Sequence, residues 1–172
     1  YNNNMSNRSV RQIVKVSIGG KLIRLQISNE LSNEPVEIRS VYIAHAKDSS
    51  AVEAKTAKYL KFRNKYKVTI SAGKSIFSDA LVYDLKPLER LSITINYTSA
   101  PVSPTVHMGS RTTSYIMRGM TNADTNFSKA FRENHWFNIA AIDVFDATGK
   151  SIAIIGNSIT DGKNSTDNAQ NR

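Results

Sequence analysis

The sequence predicts a mainly β protein: an antiparallel, jelly-roll-like β-sandwich followed by the first strand of an α/β domain. Three observations carry that expectation. Apolar and polar residues alternate with period two through most of the chain, as in strands with one face buried. Glycine, proline and asparagine interrupt those runs at short intervals. Toward the C-terminal end the alternation gives way to a short continuous apolar run, the pattern of a strand buried on both faces.

Residues 1–8 open Tyr1-Asn2-Asn3-Asn4, polar and without an apolar signal core, and are expected to be disordered or extended. The sandwich is expected over residues 9–146. Val14, Val16 and Ile18 alternate with Lys15 and Ser17, and Ile23, Leu25 and Ile27 alternate with Arg24 and Gln26. Gly19-Gly20 lies between the two runs, which predicts a β-hairpin with a tight turn. Further strands are expected at 36–43, 67–70, 75–77 and 91–97. Asn33-Glu34-Pro35, Ser71-Ala72-Gly73-Lys74 and Lys86-Pro87 separate them. A short helix is expected around 126–133. A long strand at 136–145 would close the sandwich, and Asp146-Ala147-Thr148-Gly149-Lys150 reads as a connector. A second domain is expected to begin at 151–172, its first strand being Ile152-Ala153-Ile154-Ile155.

At 172 residues and 40% hydrophobic composition the chain can build a packed core. No apolar run approaches the ~20 residues of a membrane-spanning helix, so no membrane span is expected. The absence of cysteine excludes disulfides and thiolate metal sites. The net charge of +9, from 23 Lys+Arg against 14 Asp+Glu, favours acidic partners such as nucleic acid or an anionic polysaccharide. The basic residues are dispersed, however. No recognition helix, zinc-finger spacing or aromatic-basic stacking pattern accompanies them, so a nucleic-acid partner is not expected. No metal-ligand cluster or phosphate-cradling glycine loop is present, and no cofactor or metal is expected.

The residues that point to chemistry follow the apolar run directly: Gly156-Asn157-Ser158-Ile159-Thr160-Asp161-Gly162. A serine just past the carboxyl end of a buried parallel strand sits where α/β sheets place their ligands. Gly156 permits a tight turn and close approach of another group. Backbone N–H groups at the start of a following helix can stabilise an oxyanion. Ser158 then reads as a nucleophile that needs a histidine base and an orienting carboxylate. The same position also suits a serine acting only as a helix cap.

This block resembles the first block of the SGNH, or GDSL-type, hydrolases, Gly-Asp-Ser-(Leu/Ile) followed by Thr-x-Gly, with Asn157 in place of the usual Asp. The resemblance implies a flavodoxin-like catalytic domain. It makes Ser158 the nucleophile and gives Gly156 and Ser158 the turn and an oxyanion-hole N–H. The remaining oxyanion donors and an Asp-x-x-His base would come from later blocks. Only 14 residues follow Ser158, and no Asp-x-x-His occurs in the sequence. The expectation is therefore a truncated or cleaved hydrolase whose complementary C-terminal fragment is a separate chain. Val10-Arg11-Gln12-Ile13-Val14, Ser17-Ile18-Gly19-Gly20 and Gly109-Ser110-Arg111-Thr112-Thr113-Ser114-Tyr115 are similar to the β-sandwich that precedes the catalytic domain in a subset of bacterial secreted GDSL-type esterases. That similarity implies a secreted or periplasmic location. Its implied substrate is an acyl or acetyl ester, including esters carried on carbohydrates. The competing expectation is a β-sandwich that acts as a non-catalytic carbohydrate-binding or interaction module.

The three histidines, His45, His107 and His135, all fall in the β-rich region. His45 is expected at a strand end and His135 in packing. His107 and Arg111 lie in a loop punctuated by Pro101, Pro104 and Gly109, which makes them candidates for the substrate rim. Asp161, three residues from Ser158, is read as a turn former rather than a triad acid. Trp136, Tyr115 and Tyr97 are read as core aromatics before a sugar-stacking platform.

Overall fold

A computed structural model describes residues 4–169. Residues 1–3 of the expected N-terminal segment and 170–172 of the expected second domain lie outside them. Thirteen strands run in the order β1 (Arg8–Lys15), β2 (Gly20–Ser28), β3 (Val36–His45), β4 (Lys58–Leu60), β5 (Val68–Ile70), β6 (Ser75–Phe77), β7 (Leu81–Leu85), β8 (Arg90–Ser99), β9 (Val106–Met108), β10 (Ser114–Arg118), β11 (Phe131–Glu133), β12 (His135–Phe137) and β13 (Ile139–Val144). A 3-10 turn, Ala54–Thr56, lies between β3 and β4.

The strands form an antiparallel sandwich. One sheet has seven strands in the order β11-β10-β1-β8-β3-β4, with β5 also paired to β3. The other has four, ordered β13-β2-β6, with β7 also on β2. A separate two-stranded ribbon pairs β12 with β9. The core lies between the sheets. Val10, Val41 and Ile95 of the larger sheet pack in one cluster with Ile23, Leu25, Ile27 and Leu85 of the smaller one. Burying each such aliphatic side chain is worth about 1.5–3 kcal/mol. Met5 joins the same cluster at 1% exposure, so the part of the N-terminal segment that is described is anchored by its side chain instead of being loose.

Four local expectations change. The Gly19-Gly20 hairpin is absent: β1 pairs with β8 and β10, while β2 belongs to the opposite sheet. Residues Ser9 to Val14 are all buried, so β1 needs covered faces and a neighbour on each edge, which a hairpin arm does not supply. Gly19 instead lets the crossing chain pass the Leu85–Pro87 segment, where an added Cβ would sit 2.4 Å from the Leu85 carbonyl. The expected helix at 126–133 is a turn around Phe127 followed by β11. The expected strand 136–145 is broken at Asn138, which takes φ 59°. Finally, Ile152-Ala153-Ile154-Ile155 forms no strand, and Ile152, Ile154 and Ile155 are 88%, 76% and 98% exposed. A strand of that composition exists only between neighbours that satisfy its backbone and cover its faces, and none of the described strands pairs with it.

Candidate functional site

Ser158 begins a compact exposed turn. The Asn157 side-chain oxygen accepts from Ile159 N at 3.0 Å, an Asx turn that needs an acceptor but no charge. Asn in place of Asp preserves that acceptor. Asp161 N donates to Asn157 O at 3.0 Å and Lys163 N to Ser158 O at 2.7 Å, so the chain winds through about one helical turn. Gly162, at φ 86°, ends it. Gly156 is required by the closeness of the turn: an added Cβ would lie 2.1 Å from Thr160 Oγ1 and 2.4 Å from its Cβ. The Ser158 hydroxyl is exposed and bonded to no histidine among the described residues.

This turn rests on the sandwich along the loop that contains His107 and Arg111. His107, on β9, places Nε2 2.9 Å from Asp161 Oδ2. Its ring lies 5.8 Å from that of Trp136, its register partner on β12. The other ring nitrogen, Nδ1, is buried without a hydrogen bond. Arg111, at φ 54°, approaches Asp167 at 3.5 Å. Asn134 Nδ2 donates to the other Asp167 oxygen at 2.7 Å. Asn168 makes three bonds: its N–H to Arg111 O at 2.7 Å, its Oδ1 from Thr113 N at 2.8 Å, and its Nδ2 to Thr113 Oγ1 at 2.9 Å. The segment after Ser158 is thus held at two points, Asp161 and Asp167–Asn168. The ion pairs are partly exposed and contribute about 0.2–1 kcal/mol each. The Asn168 bonds to backbone define the geometry better than the charges do.

His107 and Arg111 therefore stand next to the Ser158 turn, touching its partner residues. Asp161, read as a turn former, docks on His107 instead, and the docking of Asp167 and Asn168 went unread because a polar tail carries no periodicity. His135 accepts from Gly109 N at 3.0 Å and fixes the φ 72° turn beside His107. His45 closes β3, its Nδ1 3.1 Å from Glu89 and its Nε2 3.0 Å from Asp84 O. No His, Asp or Glu cluster able to hold a metal occurs among the described residues, and none of their helices is long and apolar enough to cross a membrane.

No protein-family model matches the chain, and no curated protein matches it.

Proposed function

We propose that these residues are the N-terminal portion of a serine ester hydrolase of SGNH type. The observation that carries the reading is the Gly156–Gly162 block, in which a side-chain-free Gly156 and the Asn157 turn hold Ser158 on an exposed bend. In the reaction Ser158 Oγ attacks the ester carbonyl while its proton passes to a histidine base. The tetrahedral oxyanion is met by the Ser158 N–H. Expulsion of the alcohol leaves an acyl-enzyme, which water then hydrolyses to the free acid. The base, its carboxylate and the remaining oxyanion donors belong to polypeptide beyond these residues. The exposed Ile152-Ala153-Ile154-Ile155 run is the segment that would become a strand on joining that polypeptide, as a parallel neighbour.

The substrate class is an acyl or acetyl ester, including esters carried on sugars, met in a secreted or periplasmic setting. The test is hydrolysis of p-nitrophenyl acetate by the assembly of this chain with the polypeptide that follows it. Turnover is expected from the assembly, and Ser158→Ala should lower kcat by about a thousandfold or more without loss of assembly. Undiminished hydrolysis by that variant would overturn the assignment.

A further inference from the structure

The outer face of the seven-stranded sheet carries a feature unrelated to the core. The register aligns Tyr42, Thr94, Arg11, Tyr115 and Arg132 as one row across β3, β8, β1, β10 and β11. Arg11 is 1% exposed, and every hydrogen bond it makes goes to a neutral oxygen. Its Nη1 donates to Ser50 O at 2.8 Å, and its Nη2 to Tyr42 Oη at 3.1 Å and Asn122 O at 3.5 Å. Its Nε donates to Thr94 Oγ1 at 3.3 Å, and the Phe127 ring covers the guanidinium at 3.8 Å. A buried guanidinium held by neutral oxygens imposes a positive field on its surroundings.

Tyr115 and Arg132 of the same row line a cavity of about 220 Å³ together with Arg90, Ser49, Thr113 and Asn168, and no carboxylate is in that lining. Arg90 directs Nη2 to Lys47 O at 2.9 Å, with the fully exposed Asp48 at 3.5 Å. The Arg132 guanidinium meets no carboxylate among the described residues and stands 5.9 Å from the Tyr115 ring. The Tyr115 hydroxyl, on a residue only 5% exposed, is paired with Ser49 Oγ at 3.1 Å. Asn168, tied to Thr113, closes one side.

We infer that this cavity binds an oxyanion carried on a small polyol, a uronate or a sugar sulfate. Two guanidinia with spare N–H groups, of which Arg90 alone meets a carboxylate, Asp48 outside the lining, present the fork geometry that carboxylates and sulfates accept bidentately. The hydroxyls of Ser49, Thr113 and Tyr115 each both donate and accept, so they suit sugar hydroxyls. The volume is below the ~300–1,000 Å³ of drug-sized pockets and fits a single unit. Because Asn168 belongs to the segment after Ser158, the occupied cavity would bring an acidic glycan alongside the proposed ester site. Binding itself does not depend on Ser158 being a nucleophile.

The test is calorimetric titration of the chain with glucuronate, glucose 6-sulfate and glucose, with amide chemical shifts as a second readout. Glucuronate or the sulfate should bind saturably, weaken as salt rises, and bind about tenfold or more tightly than glucose. Arg132→Ala, on a short edge strand, should cut that affinity about tenfold with an unchanged thermal midpoint, while Ser158→Ala leaves it intact. Shifts should centre on Ser49, Thr113 and Asn168. Equal affinity for glucose, no saturable binding, an unaffected Arg132→Ala variant, or shifts confined elsewhere would each overturn the inference.

Discussion

Single polar side chains perform much of the joining in this sandwich. Gln12 uses its amide as a piece of strand: Phe137 N donates to its Oε1 at 2.5 Å and its Nε2 donates to Phe137 O at 3.1 Å, tying β1 to β12. Asn138 does more. Its N–H bonds Thr105 O at 3.0 Å, its Nδ2 bonds Ser28 O at 2.8 Å, and its Oδ1 accepts the Tyr97 hydroxyl at 2.8 Å. Its positive φ turns the chain from the ribbon into the smaller sheet, a conformation asparagine tolerates better than most residues. Asn138→Ala removes the acceptor for the buried Tyr97 hydroxyl and the side-chain donor to the Ser28 carbonyl, and it strains the backbone. The expected cost is about 2–4 kcal/mol, read from urea denaturation, with Asn138→Gly recovering only the backbone part. A loss well under 1 kcal/mol would mean that the turn does not depend on this side chain.

At the scale of elements, the segment after Ser158 is the weakly held part. It has turns instead of strands, exposed backbone, and partly exposed charge pairs to β9 and its loop. Such contacts open locally at low cost. His107→Gln with Asp161→Asn, taken through a double-mutant cycle, should give a coupling of about 1 kcal/mol or less. Amide exchange at residues 159–163 should accelerate in each single variant, while the exchange of β8 stays unchanged. Accelerated exchange in β8 would show that the pair supports the whole sandwich and not this segment alone. The block Gly156-Asn157-Ser158 was legible in the sequence because its turn is made by local interactions. His107 and Arg111 were legible as residues of a neighbouring loop, but their pairing with Asp161 and Asp167 was not, because it is made between segments far apart along the chain.

At the scale of the molecule, the two sheets are also linked by Tyr83 of β7, whose ring meets that of His45 on β3 at 5.3 Å, edge to face. Burial pushes the Tyr83 phenol up to about 12, from an ordinary value of 10. The folded protein therefore keeps this proton where the unfolded chain loses it. Stability is fully present below pH 10 and falls as pH rises from 10 toward about 12. Tyr83→Phe should flatten that alkaline decline in a series of urea titrations, and an unaltered slope would place its cause in other groups. Period-two alternation was enough to specify that the molecule is β-rich and where β3 and β8 run. It did not specify neighbours. Alternation sets the side a strand buries, whereas pairing is settled by which distant strand completes its hydrogen bonds and covers its second face. Tertiary packing therefore sent β1 and β2 to opposite sheets, broke the last long strand at Asn138, and gathered Arg11, Arg90 and Arg132 on one outer face. The same principle leaves Ile152-Ala153-Ile154-Ile155 unpaired: its composition suits a strand, but a strand forms only where another one lies beside it.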